Sequence, residues 1–369
     1  MTQLTKEDAI YISKVFEDYF GHLDRIDDYM REQKLASLAD LPSNPLFPPE
    51  DDLFSDFSMH PNDMDFSVID IPNSQWDTLL NITSSHINGS SPGRNLKLAV
   101  MENNTKKFVG FIRLGSPIIN CKPRNEMLGQ VFTQSKEGAT RFNNSSMMGF
   151  VIVPAQPFGY NYLGGKLLAA ICTSHEVREI CNKKYNMNMC LFETTSLYGS
   201  SKTVSQYDGM KPFIRFKGVT ESDFLPMMHG KPYEDLKNFV ESKVGMIVEE
   251  GVSSRKLKIS QRIIALTKQA LKGSTELQHF LKIIENAKSL TEQKRYYVSN
   301  YGFKNYIDYC NNKTDTLIPD ENYDKHHLKN IINWWKKKAS NRYETLKSEG
   351  RLRTEIEVWT SGKDIDIIR

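Results

Sequence analysis

The sequence predicts an α/β (α+β) domain with a mixed sheet and flanking helices, plus a helical N-terminal segment and a basic, mainly helical C-terminal module. Three observations predict this. Residues 148–169 read MGFVIVPAQPFGYNYLGGKLLA: an apolar run, Phe150 to Val153, stops at Pro154, and a turn rich in glycine and aromatics leads to a helix opened by Gly164, Gly165 and Lys166. Strand, glycine turn and helix N-terminus together cradle phosphates, because the first helical turn has N–H groups without intrahelical partners. Residues 95–117 read as two strands joined by a turn at 102–105. From about Tyr233 onward, apolar residues recur at helical spacing.

The remaining elements follow in order. Residues 5–35 carry Ile10, Ile12, Val15, Phe16, Tyr19, Phe20, Leu23, Ile26 and Tyr29 at helical spacing, which predicts one or two helices. Residues 37–73 mix six prolines with Asp and Phe, which predicts a loop or an extended acidic arm. An irregular stretch, 118–147, precedes the strand at 148–153, and a helix is expected from Gly165 to about Lys184. MNMCLFETTSLYG then predicts a strand ending in polar residues, and SQYDGMKPFIRFKGV a short turn or helix and a last strand. The expected divisions are an acidic arm (1–75), an α/β domain (76–235) and a basic helical module (236–369).

At 369 residues, 39% hydrophobic and 25% charged, the chain can build a proper core. No run of about 18 apolar residues exists, so no transmembrane helix is expected. The first residues contain no apolar signal core, so the expected location is the cytoplasm of a bacterial host. Five cysteines form no CxxC pair, which argues against a zinc knuckle or a disulfide framework. No His/Asp/Glu spacing suggests a metal site. The net charge of +3 hides an asymmetry: residues 1–70 hold 5 Lys+Arg against 16 Asp+Glu, and 245–369 hold 23 against 16. A basic body behind an acidic arm fits DNA or RNA as partner, with the arm covering that surface or docking a protein; two solvated faces are the plainer alternative.

AVMENNTKKFVGFIRLGS, GGKLLAAI and the pair Ser205–Met210 and Phe216–Gly218 occur in the order found in the GNAT acyltransferase superfamily, which the chain resembles. A closer resemblance is to the DruA-like family, named for a component of the Druantia anti-phage system and including phage proteins. Arg141, Asn143, Asn144, Pro154, Asn161, Gly164, Gly165, Lys166, ETTSLYG at 193–199 and Ser205-Gln206-Tyr207 carry it. The Mom-type DNA-modifying proteins share the GNAT-like framework. The resemblance implies a GNAT-like sheet, with Tyr207 at the position of the superfamily's tyrosine general acid. Acyl-CoA is the cofactor it would imply, but the loop departs from the standard pattern: Gly159 falls where Arg or Gln is expected, and Gln156 lies three residues early. The GGK is not a P-loop either, since Tyr160 and Leu167 stand where Gly and Ser/Thr are required.

Candidate site residues follow. Glu193 ends a strand, the usual place for a general base in an open α/β sheet, with turn capping or an Arg partner as its plainer role. Tyr198 and Tyr207 are candidate acids or stacking rings. Tyr160, Asn161, Gly164, Gly165 and Lys166 line the candidate anion or cofactor turn. Arg141 and Asn143 are candidate nucleic-acid contacts. In the C-terminal third, Lys294, Arg295, Lys336 and Lys337 are interleaved with aromatics, a pattern that suits phosphates and unpaired bases, or amphipathic helices with solvated lysines. Three functions are expected in competition: a nucleic-acid-associated transferase that modifies DNA bases, a non-catalytic nucleic-acid- or protein-binding module, and a virion or assembly protein.

Overall fold

The computed structural model describes residues 3–21, 31–32, 34–35, 37–38, 49–85, 93–118, 121–129, 135–196, 205–220, 227–228, 230–252, 255–289 and 295–360. In chain order the elements are α1 (Lys6–Phe20), β1 (Phe66–Ile69), α2 (Asn73–Thr83), β2 (Asn95–Glu102), β3 (Lys107–Gly115), α3 (Lys122–Leu128), α4 (Lys136–Asn143), β4 (Ser146–Pro154), α5 (Phe158–Tyr162), α6 (Gly164–Ile171), α7 (His175–Tyr185) and β5 (Leu191–Ser196). They continue with β6 (Arg215–Val219), α8 (Gly230–Val244), α9 (Arg255–Ala270), α10 (Thr275–Ser289), β7 (Arg295–Ser299), α11 (Tyr306–Cys310) and α12 (Leu328–Ser348). This is the mixed α/β architecture expected from the sequence.

The division of the chain differs from three consecutive modules. One compact unit joins 1–37 to 222–292, and the other joins 38–221 to 293–369. In the first unit α1 packs against α8, α9 and α10. Ala9, Ile12, Phe16 and Phe20 form its buried stripe, meeting Leu236, Val240, Ile263 and Phe280. Thr5 and Asp8 close a capping box at the start of α1. The acidic stretch is therefore not one arm: 6–20 is core-forming helix here, while 49–69 belongs to the second unit, where β1 joins the sheet.

In the second unit a seven-stranded sheet runs β1-β2-β3-β4-β5-β7-β6. Its pairs are antiparallel except β4 with β5, which is parallel. The 95–117 hairpin forms as expected. The basic C-terminal stretch does not form one helical module. Arg295–Ser299 inserts as β7 between β5 and β6, as suits a Tyr-Tyr-Val run. The expected helix from Gly165 to about Lys184 breaks at 172–174, because Ser174 caps a new helix, accepting from the Val177 amide at 3.1 Å.

α2 covers part of one sheet face, with Trp76 donating to the Leu98 carbonyl at 3.0 Å and packed with Phe111 and Val151. α12 packs on α5 and α6. Trp335, fully buried, donates its indole N–H to the Tyr162 carbonyl at 2.8 Å and meets Phe66 and Phe158. Tyr343 stacks on Tyr162 with ring centroids 5.5 Å apart.

Behind α6, His326 is fully buried, with its Nδ1 2.7 Å from the Thr173 carbonyl. Burial pushes its pKa down to about 4 from 6.5. The folded ring thus refuses a proton that the unfolded chain accepts between those values. Stability should be complete above about pH 6.5 and fall as pH drops toward 4, by about 1.4 kcal/mol per pH unit. Urea unfolding of wild type and His326→Asn across that range checks it: the variant should have the shallower slope, and parallel slopes would refute the assignment.

Candidate nucleic-acid interface and sheet opening

β4 and β5 pair only from Ser146/Leu191 to Gly149/Thr194. Thr194 Oγ1 donates to the Gly149 carbonyl at 3.1 Å on that last rung. Beyond it β4 continues to Pro154 beside β3, and β5 continues to Ser196 beside β7. The turn 155–166 and the segment 205–209 flank this parting. Tyr207 is buried, with its hydroxyl beside the Thr194 side chain. Burial pushes the Tyr207 pKa up to about 12, so the hydroxyl keeps its proton at neutral pH.

Glu193 lies elsewhere. Side chains alternate along a strand, so Glu193 and Thr194 face opposite sides of the sheet. Glu193 is fully buried and accepts hydrogen bonds from Ser146 at 2.8 Å and Tyr296 at 2.7 Å. The buried Arg124 guanidinium stands 3.5 Å from its carboxylate and donates to the Ile118 carbonyl at 2.7 Å. Burial, then the Glu193 charge, pushes the Tyr296 pKa well up, which keeps it a donor. The fold therefore does not bring Glu193 and Tyr207 to one cleft. Glu193 has the Arg partner of its plainer reading and anchors a buried network. Tyr198 lies outside the described residues.

Lys166 does meet the Tyr207 segment, through its Nζ. It donates to the backbone carbonyls of Gln206 at 2.9 Å and Asp208 at 2.7 Å. Burial, and then Lys338 nearby, push its pKa down. Asp208 accepts from the Ser205 amide, the Tyr297 hydroxyl and Arg295. The two glycines answer to close packing: a Cβ on Gly164 would lie 2.7 Å from Phe158 and one on Gly165 2.7 Å from Gln206. With Gln206 against the start of α6 and Lys166 turned to carbonyls, these residues do not fit an acyl-CoA pyrophosphate.

The rest of the turn holds the C-terminal segment. Asn161, fully buried, donates to the Arg353 carbonyl at 2.7 Å and accepts its amide at 3.2 Å. The guanidinium groups of Arg342 and Arg353 stand 4.8 and 4.6 Å from the Tyr160 ring centroid, and Arg351 donates to its hydroxyl at 3.3 Å. Lys338 lies one helical turn before Arg342, and both Lys337 and Lys338 are exposed. Lys336 is turned the other way, donating to the Asn62 carbonyl at 2.9 Å.

Other candidates serve the fold. Arg141 stacks on Tyr309 at 4.2 Å and bonds Thr314 and Asp315. Asn143 accepts from Arg94, which also donates to Asn144 at 2.7 Å. Arg295 pairs with Asp208. Lys294 lies outside the described residues. Sequence reasoning missed Arg124, Ser146, Tyr296, Arg342 and Arg353. Their partners are distant along the chain, and only the basic, aromatic character of the last third hinted at the two arginines.

Residues 71–208 match the family model described as Druantia protein DruA. That segment is similar to the DruA family. The DruA-like segment runs from just before α2 to Asp208, so it includes β2 to β5, the turn and Tyr207. It omits β6, β7, α12 and the α8–α10 helices. No curated protein and no solved structure matches the chain. Among the described residues, no helix is long and apolar enough to cross a membrane, and no cluster of His, Cys, Asp or Glu could hold a metal ion.

Proposed function

We propose that this chain is a DruA-like protein of the phage-defence type that binds DNA or RNA, with a GNAT-like sheet as its scaffold. The observation that carries this reading is the cationic ridge over the turn at 158–166. Lys338 and Arg342 on α12 stand beside Lys166, Arg353 and the arginine-stacked Tyr160. Arg353 is already paired with Glu357 at 2.8 Å; the closely spaced Lys166, Lys338 and Arg342 cost free energy in isolation and gain it when phosphates neutralise them, releasing counterions. The bacterial cytoplasm is the compartment this role requires. The β2–β3 hairpin and the parting of β4 from β5 support the GNAT-like reading of the scaffold. Binding rather than catalysis is favoured, because Glu193 and Tyr207 face opposite sides of the sheet. Fluorescence anisotropy with labelled DNA and RNA across a salt series tests it. Affinity should fall linearly on log–log axes as salt rises; undetectable binding at low salt would refute the proposal.

Transfer onto DNA bases is the second reading, suggested by the place of Tyr207 beside the sheet opening, where its hydroxyl would serve as a proton donor. Base masses in DNA from cells making wild type or Tyr207→Phe test it. Identical masses would remove it and leave the binding reading in place.

A further inference from the structure

The edge strand β6 carries a second feature. Phe216 is 45% exposed, unusual for a ring held on a strand. The ring is fixed by what lies beneath and beside it. Tyr297 meets it edge-on with centroids 5.6 Å apart. The Arg295 guanidinium stands 4.7 Å from its centroid and is itself tied to Asp208 at 3.3 Å. Residues 209–219 contain Lys211, Arg215 and Lys217 and no carboxylate, between Asp208 and Glu221.

Two kinds of occupant suit an exposed edge strand: an added strand from another chain, or a ligand that stacks on the ring. The strand is five residues long, its register slips between Phe216 and Gly218, and Lys217 projects from the irregularity. Short, bulged, lysine-bearing edges resist strand addition. A fixed, exposed aromatic among cations has the parts of a nucleobase platform: the π-face takes a base, and the ammonium groups take the backbone phosphates.

We propose that Phe216 stacks an unpaired base of a single-stranded nucleic acid, with Lys211 and Lys217 on the flanking phosphates. This rests on the nucleic-acid reading above and adds the form of nucleic acid recognised. A base inside a duplex cannot offer its face to the ring, so the platform favours single strands over duplex.

The test is anisotropy with a labelled single-stranded oligodeoxynucleotide and with its duplex. Phe216→Ala should weaken single-strand binding about tenfold, within the range of base–aromatic stacking. Duplex binding should stay unchanged, and Phe216→Trp should restore single-strand affinity. Because Phe216 lies at the surface, a melting curve for each variant separates lost stacking from lost folding. If wild type binds the oligonucleotide and Phe216→Ala binds it equally well, or loses single strand and duplex alike, the platform is refuted while the nucleic-acid reading stands. If wild type binds neither oligonucleotide, both are refuted. Binding of a poly-glutamate peptide that needs Phe216, with no oligonucleotide bound, would reassign the patch to a protein partner.

Discussion

Replacing Glu193 with Ala should cost about 3–5 kcal/mol of folding stability, the range for removing one member of a buried ion pair. Glu193 and Arg124 are both fully buried, and the carboxylate also satisfies Ser146 and Tyr296. The substitution takes the carboxylate from the Arg124 guanidinium and the acceptor from the Ser146 and Tyr296 hydroxyls, at a desolvation cost. Glu193→Gln keeps the shape but not the charge, so it should lose less. Replacing both ionic partners with apolar residues, Arg124→Met with Glu193→Leu, should recover much of the loss. Urea unfolding measures all three variants. A Glu193→Ala protein of wild-type stability would contradict the anchoring role of the carboxylate.

Trp335→Ala should cost a similar amount, about 3–5 kcal/mol, as large buried aromatics do when truncated. The indole seals α12 onto Phe66 and Phe158 and donates to the Tyr162 carbonyl. Its loss leaves both a cavity and an unpaired carbonyl. The consequence reaches the candidate interface, since α12 carries Lys337, Lys338 and Arg342. A cooperative fall in melting temperature is expected. A separate low-temperature transition for the C-terminal segment, with the rest unchanged, would show that α12 is an appended module.

Local pattern made much of the fold legible. The hairpin, the 148–153 strand, the glycine turn and the C-terminal helices all carry periodicity or turn residues that act within a few positions. What escaped depends on distant partners. The RYYVS strand sits inside a stretch dominated by helical signals, and only its place between β5 and β6 makes it a strand. β1 was hidden among prolines and aspartates. The return of 293–369 to the sheet unit, after the α8–α10 helices join α1, leaves no local mark. At the site, the residue types were readable and their directions were not. Glu193 and Tyr207 both lie beside the sheet opening in sequence order, yet strand alternation sends Glu193 to the Arg124 side and Tyr207 to the Thr194 side. Lys166 had the right position for a phosphate, but the 205–209 segment supplies two carbonyls to it first.

The most direct test of the nucleic-acid account is the salt dependence of DNA binding by Lys337→Ala/Lys338→Ala/Arg342→Ala beside wild type. Each phosphate contact removed should reduce the slope of log affinity against log salt by about 1. Loss of the two ridge contacts, Lys338 and Arg342, should make the slope shallower by about 2, or about 3 if the exposed Lys337 also meets a phosphate, with weaker binding at low salt and a melting temperature close to wild type. A variant with the wild-type slope and affinity would contradict the nucleic-acid account.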